Sequence, residues 1–143
     1  MDLKGVCFHG GDVPNCDFPH FIVLISDQNP EGKVLLVPIS SIKFNASSKY
    51  YYKDIPCKYY DDSCVFEGTE IKDDDGSFVL SKPSFARYEW ANEVSASLVL
   101  QKQLQGIYKY KCKVSEEVLL RLQQGARKSK ELRPYFAKYF EYF

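Results

Sequence analysis

The chain lacks any apolar run near the roughly 20 residues that a membrane-spanning helix needs. Its first five residues lack the charged segment and apolar stretch of a secretory signal peptide. We therefore expect a cytoplasmic protein with no membrane partner. The five cysteines are an odd number, and without a secretion signal they predict reduced thiols rather than a disulfide framework.

The sequence also lacks an excess of charge and several common catalytic motifs. Nineteen lysines and arginines balance nineteen aspartates and glutamates, so net charge provides no general attraction for nucleic acid. No phosphate-binding glycine loop and no Gly-x-Ser-x-Gly motif is present. The run from Asp73 to Gly76 lacks the alternating ligands of a calcium loop and predicts a hairpin turn.

Two apolar runs near the N-terminus are the most informative feature. They cover residues 20–27 and 33–43, are rich in β-branched side chains, and are joined by an Asn-Pro-Glu-Gly turn. This pattern predicts two buried strands that form a hairpin. A chain of 143 residues is most simply one domain, residues 1–143.

Further elements follow from turn residues, caps and periodicity. Short strands are predicted at 6–9, 63–66, 77–80 and 107–114, helices at 92–105 and 115–125 and from Pro134 onward, and a long loop at 44–62. The aromatic face of the last helix must pack on the domain or on another chain. Many short strands with terminal helices predict a mainly β protein with helical additions (α+β), built as a small β-barrel over about residues 18–114 with C-terminal helices over 115–143.

The order of several short motifs resembles the PemK/MazF superfamily of toxins from bacterial toxin–antitoxin pairs, in a divergent PemK-like branch. The similarity covers roughly residues 18–130. It is carried by the strand pair with its Pro-Ile-Ser-Ser exit at 38–41, by Ser-Cys-Val-Phe-Glu-Gly at 63–68, by Phe-Val-Leu at 78–80, by Lys-Pro-Ser at 82–84 with Tyr88, and by the segment from Ser115 to Ser129.

The resemblance implies an SH3-like barrel and an endoribonuclease that cleaves single-stranded RNA without metal or other cofactor. It also implies a homodimer that a cognate antitoxin protein holds inactive. The chain departs from the family at two places. Pro19-His20 stands where the family has Arg-Pro, and Ser40 stands where the family has threonine.

Metal-free RNA cleavage needs a base, an acid and a cation beside the phosphate. His20 is the natural acid or base, although a histidine at a strand end can also serve only as a hydrogen-bonding cap. On an extended segment the even-numbered side chains share a face, which would group Lys82, Ser84 and Tyr88. We therefore predict His20, Lys82, Ser84 and Tyr88 as catalytic residues, with Ser40, Ser41 and Arg87 binding the substrate.

Two alternatives remain open from the sequence. Cys7, His9, Cys16 and His20 include both histidines and carry zinc-ligand chemistry, although their spacing is not that of a zinc finger. Such a site would occupy His20 and weaken the nuclease interpretation. The other alternative is a non-catalytic SH3-like module that binds a peptide or protein partner, which the neutral net charge and the missing arginine favour.

Overall fold

The computed structural model describes residues 2–41, 65–66, 70–80 and 84–143. Within them, strands pair into one antiparallel sheet: β1 (Val6–Gly10), β2 (His20–Leu24), β3 (Lys33–Ser41), β4 (Val65–Phe66), β5 (Ser84–Ala86), β6 (Asn92–Ser95) and β7 (Tyr108–Lys113). The helices are α1 (Ala96–Leu104), α2 (Glu116–Lys128) and two 3₁₀ helices, Tyr88–Trp90 and Pro134–Tyr142. The mainly β class with helical additions is therefore confirmed.

Strand β3 organises the sheet. The strand order is β4-β5-β3-β2-β1-β7, and β6 also pairs with β3. One edge of β3 pairs with β2, from Leu24↔Leu36 to Phe21↔Ile39. The other edge pairs with β6 along its first half and with β5 along its second half. The predicted hairpin is thus the centre of the sheet.

Both faces of this hairpin are covered, which explains why its strands are continuously apolar. On one face, Val23, Val37 and their neighbours pack against α2 and the C-terminal 3₁₀ helix. On the other face, Ile22 and Leu36 pack against α1 and the N-terminal segment.

Two predicted helix boundaries were wrong. Residues 92–95 form strand β6 rather than the first turn of a helix, because they pair with Lys33–Leu36 of β3 and tertiary pairing outweighs local propensity. Helix α2 begins as predicted, with the Ser115 hydroxyl accepting from Val118 N at 3.2 Å. It continues past Gly125 to Lys128, since Gly125 is a buried helix residue rather than a terminating cap.

The segment around Asp73 confirms the hairpin turn but not the strand predicted after it. The Asp73 carboxylate accepts from the amides of Asp75 and Ser77, both at 2.9 Å, and Gly76 has a φ of +84°. Of the predicted strand at 77–80, only an isolated bridge between Lys72 and Phe78 forms. The strand at 63–66 is confirmed in part as β4, and the loop predicted at 44–62 lies outside the described residues.

The C-terminal aromatic residues pack on their own domain. The helix starts at Pro134 as predicted, and Phe136 and Tyr139 are buried in the core beside α2. Tyr139 donates to Glu93 at 2.6 Å, and the Asp27 amide donates to the Tyr142 carbonyl at 2.6 Å. The aromatic face is therefore largely covered within the chain and supplies no argument for a dimer.

No helix among residues 2–41, 70–80 and 84–143 has the length and apolar character to cross a membrane.

Candidate functional site

An open cavity of about 650 Å³ lies at one end of the sheet, where β1 and β3 end and β2 and β5 begin. Antiparallel pairing brings these four strand ends together although they are distant in the sequence. The polar and aromatic side chains that line the cavity include His9, Phe18, His20, Ser40, Ser41, Ser84, Arg87 and Trp90. A cavity of this size accommodates a small ligand or a few groups of a polymer.

Five of the predicted site residues line this cavity. They are His20, Ser40, Ser41, Ser84 and Arg87. Ser41 and Ser84 are directly paired across β3 and β5, which explains how residues that are far apart in sequence meet. Ser84 is buried, whereas Ser41 is exposed. Lys82, the remaining predicted cation, lies outside the described residues.

Tyr88 was predicted to share a face with Ser84, and that prediction was wrong. The extended segment ends at Ala86 and the chain turns into the 3₁₀ helix Tyr88–Trp90. This turn directs Tyr88 into the core, where its hydroxyl donates to the Leu122 carbonyl at 2.9 Å. Tyr88 is only 2 % exposed, so it joins the strand to α2 instead of reaching a ligand.

His20 is held in a defined orientation at the start of β2. Its Nδ1 lies 2.6 Å from the Phe18 carbonyl oxygen, which can only accept, so Nδ1 carries the proton. The imidazole also meets the Trp90 ring edge to face, with centroids 5.9 Å apart. The strand-end hydrogen bond and an acid–base role are compatible, because this bond leaves Nε2 as the nitrogen that can exchange a proton.

Arg87 supplies the positive charge of the cavity wall. Its backbone amide donates to the Pro38 carbonyl at 2.8 Å, which ties the residue to β3. Its guanidinium lies 3.5 Å from the centroid of the Trp90 ring and forms an ion pair with Glu89. Stacking and ion pairing restrict the side chain, and the planar guanidinium can donate two hydrogen bonds to the oxygens of a phosphate.

His9 is a cavity residue that sequence reasoning placed only in the zinc alternative. It pairs with Phe21 across β1 and β2, one step from the Gly10↔His20 pair, and its ring lies 4.6 Å from that of Phe21. Burial lowers the pKa of His9, and the positive charges of Lys111, His20 and Lys109 lower it further. The strand at 6–9 and the start of the next strand at residue 20 were both predicted, but no signal in the sequence contains the pairing register that brings His9 to the cavity.

The loop between β1 and β2 forms one rim of the cavity and is held by α1. Asp12 has a positive φ of 56°, a conformation that L-residues adopt rarely. Its carbonyl accepts from Lys102 Nζ at 3.1 Å and from the Tyr108 hydroxyl at 3.3 Å. Further along the same loop, Phe18 lines the cavity with 75 % of its surface exposed.

The four residues of the zinc alternative do not come together, so that prediction was wrong. Cys7 lies in the core on the α2 side of the sheet and is paired with Cys112 of β7. Cys16 packs against the core on the α1 side. Among the residues described, no group of three or more histidine, cysteine and acidic side chains could hold a metal ion.

No protein-family model matches the chain, and no curated protein sequence matches it significantly.

Proposed function

We propose that this protein is a metal-independent endoribonuclease that cleaves single-stranded RNA, and that it acts as the toxin of a toxin–antitoxin pair. The observation that carries the nuclease proposal is that His9, His20 and Arg87 line one open cavity. Two imidazoles and a guanidinium can supply the base, the acid and the cation that phosphodiester transesterification needs.

The roles follow from the surroundings of each imidazole. His9 has a lowered pKa and is therefore neutral near pH 7, which suits the base that takes the proton of the ribose 2′-hydroxyl. The 2′-oxygen then bonds to phosphorus, and the bond from phosphorus to the 5′-oxygen breaks. His20, oriented through Nδ1, donates the proton from Nε2 to that leaving oxygen. The products are a 2′,3′-cyclic phosphate and a 5′-hydroxyl.

Arg87 and the serines would bind the phosphate during this step. The guanidinium charge offsets the negative charge that develops on the phosphoryl oxygens. Ser40 and Ser41 lie at the same strand end and can donate hydroxyl hydrogen bonds. Lys82 remains proposed as a second cation on the segment that precedes Ser84.

The aromatic residues of the cavity favour an unpaired substrate. The exposed ring of Phe18 and the Trp90 indole both line the cavity. Such rings stack on bases that are free of a partner strand, and this interaction is worth about 1–3 kcal/mol per base. Single-stranded RNA can therefore supply the scissile phosphate and a stacked base to the same cavity.

The family assignment is part of the proposal. The SH3-like barrel is proposed from the resemblance, and the central antiparallel hairpin of β2 and β3 is compatible with it. The motif order supports membership in the PemK/MazF superfamily. The antitoxin partner and the homodimer rest on that resemblance alone.

The test is incubation of the purified protein with a mixed-sequence RNA in EDTA. We expect site-selective cleavage that leaves cyclic phosphate ends, and a loss of at least about 100-fold in His9→Ala and His20→Ala. Gln124→Ala, an exposed change on α2, is the matched control and should cleave as the wild type does.

Two other outcomes have distinct meanings. Cleavage that survives both histidine substitutions would retain the nuclease and reject this cavity as its site. No cleavage by folded, antitoxin-free protein would reject the nuclease and favour the protein-binding module.

A further inference from the structure

Strand β7 lies at one edge of the sheet and presents lysines next to the cavity. Among the described strands, β7 is at the end of the sheet order and pairs only with β1. Lys109 and Tyr110 are exposed and Lys111 is half-buried, whereas Tyr108 and Cys112 are buried. The sequence Lys-Tyr-Lys therefore places two cations and an exposed ring on an accessible strand.

These lysines are adjacent to the proposed base. Lys109 is the direct cross-strand partner of His9, and the register shift between Cys7 and Phe8 accommodates Lys111 as an extra residue. Charges that act on the pKa of His9 come from Lys111, His20 and Lys109, all of them positive groups. The basic side chains therefore continue directly from the wall of the cavity.

Acidic side chains do lie near β7, because burial and the charge of Asp74 raise the pKa of Tyr110 and the charges of Asp74 and Asp73 act in the same direction on the pKa of Cys112, but neither carboxylate forms an ion pair with Lys109 or Lys111. No carboxylate among the described residues lies within ion-pair distance of Lys109 or Lys111, whereas Lys113 at the far end of the strand pairs with Asp2 at 3.6 Å. The chain as a whole carries no net charge. A local positive pair beside an open cavity is complementary to a polyanion.

We propose that Lys109 and Lys111 form a track for the phosphate backbone of the RNA that flanks the scissile phosphate. This inference rests on the proposed function. It assigns the path by which the RNA leaves the cavity, which runs along β7. Lysine contacts to phosphate position an RNA strand but do not distinguish one base from another. The track therefore contributes to affinity rather than to the choice of cleavage site.

The experiment measures binding of a labelled, single-stranded 2′-O-methyl oligonucleotide, which lacks the nucleophilic hydroxyl and cannot be cleaved. Fluorescence anisotropy between about 50 and 200 mM salt gives both affinity and its salt dependence. We expect the double variant Lys109→Gln/Lys111→Gln to bind on the order of tenfold more weakly at low salt. The slope of log affinity against log salt should fall by about 1.4, or 0.7 for each lost phosphate contact.

The matched control is Lys128→Gln/Lys130→Gln, which removes the same charge from two exposed lysines outside the cavity. It should retain the affinity and slope of the wild type. A second measurement needs no variant: acetylation of the wild-type lysines, read by mass spectrometry, should show that the oligonucleotide protects Lys109 and Lys111 but not Lys128 and Lys130.

The failures of the two proposals differ. If the wild type binds and cleaves RNA while the Lys109/Lys111 variant keeps the same affinity and salt slope, the track is overturned and the nuclease stands. Unprotected Lys109 and Lys111 in RNA-bound wild type would also overturn the track. If the wild type neither binds nor cleaves, both proposals are overturned.

Discussion

His9 and His20 lie on adjacent antiparallel strands, one register step apart, and both line the cavity at the end of the sheet. Their surroundings differ: His20 is fixed by the Phe18 carbonyl, whereas His9 is close to the lysines of β7. Two imidazoles in different surroundings can divide the acid and base roles of one reaction.

The pH dependence tests the role of His9. Because burial and the β7 lysines lower its pKa below the ordinary value of about 6.5, cleavage should persist at mildly acidic pH and decline only once His9 is protonated. Lys111→Gln should raise the pKa of His9, measured by NMR titration, and shift the acidic limb of the rate profile upward. If the pKa of His9 is unchanged in that variant, Lys111 does not lie close to His9, and the assignment of His9 as a base with a lowered pKa loses that support.

The same shift predicts the direction of the stability change with pH. Folded His9 binds a proton less readily than unfolded His9, so the unfolded state binds more protons in the window between the two pKa values. Its contribution to the free energy of unfolding is therefore present above about pH 6.5 and is lost as pH falls through the lowered pKa. Comparison of wild type and His9→Gln in urea at several pH values isolates this contribution.

Alanine substitutions at Gly10 and Gly11 form a matched pair that tests how closely β1 packs against the start of β7. A Cβ on Gly10 would lie 2.2 Å from the Ile107 carbonyl oxygen, whereas one on Gly11 would meet nothing within 4 Å. Gly10→Ala must move β7 away from β1 and should lower the free energy of unfolding by about 1–3 kcal/mol. Gly11→Ala should change it by less than about 0.5 kcal/mol. Equal effects in denaturant titrations would contradict this packing.

Tyr88→Phe distinguishes a structural tyrosine from a catalytic one. The substitution removes the hydroxyl that donates to the buried Leu122 carbonyl, so the free energy of unfolding should fall by about 1–2 kcal/mol. The cleavage rate of the folded variant should match the wild type. Tyr135→Phe, at an exposed position, is the control for stability and should have a smaller effect. A large loss of cleavage by folded Tyr88→Phe would restore the catalytic role.

Lys102→Met tests whether α1 holds the loop between β1 and β2, which precedes His20. It removes the hydrogen bond to the Asp12 carbonyl and the ion pair with its carboxylate at 3.1 Å, while keeping an apolar stem over Tyr108. We expect faster proteolysis within residues 11–19 and a several-fold rise in the KM for RNA, with a smaller change in kcat. A wild-type proteolysis rate would show that the loop does not depend on Lys102.

Much of the local structure follows from nearest neighbours in the sequence. The β-branched runs that form β2 and β3, the Ser115 cap of α2, and Pro134 at the start of the last helix act through residues a few positions away. His20, Ser40, Ser41, Ser84 and Arg87 were named from residue chemistry and motif order, and all line the cavity. Residues 92–95 departed from prediction because their partner on β3 is about 60 residues away.

The sequence by itself therefore determined the class of the fold, the central hairpin and most of the side chains available for chemistry, because these depend on local periodicity, caps and residue type. Only the tertiary structure decided which of those side chains meet. The register of β1 against β2 places His9 one step from His20 so that both line the cavity, and the 3₁₀ turn after Ala86 sends Tyr88 into the core while Arg87 reaches the cavity. Strand register and the direction of a turn depend on contacts between distant segments, which no local pattern contains.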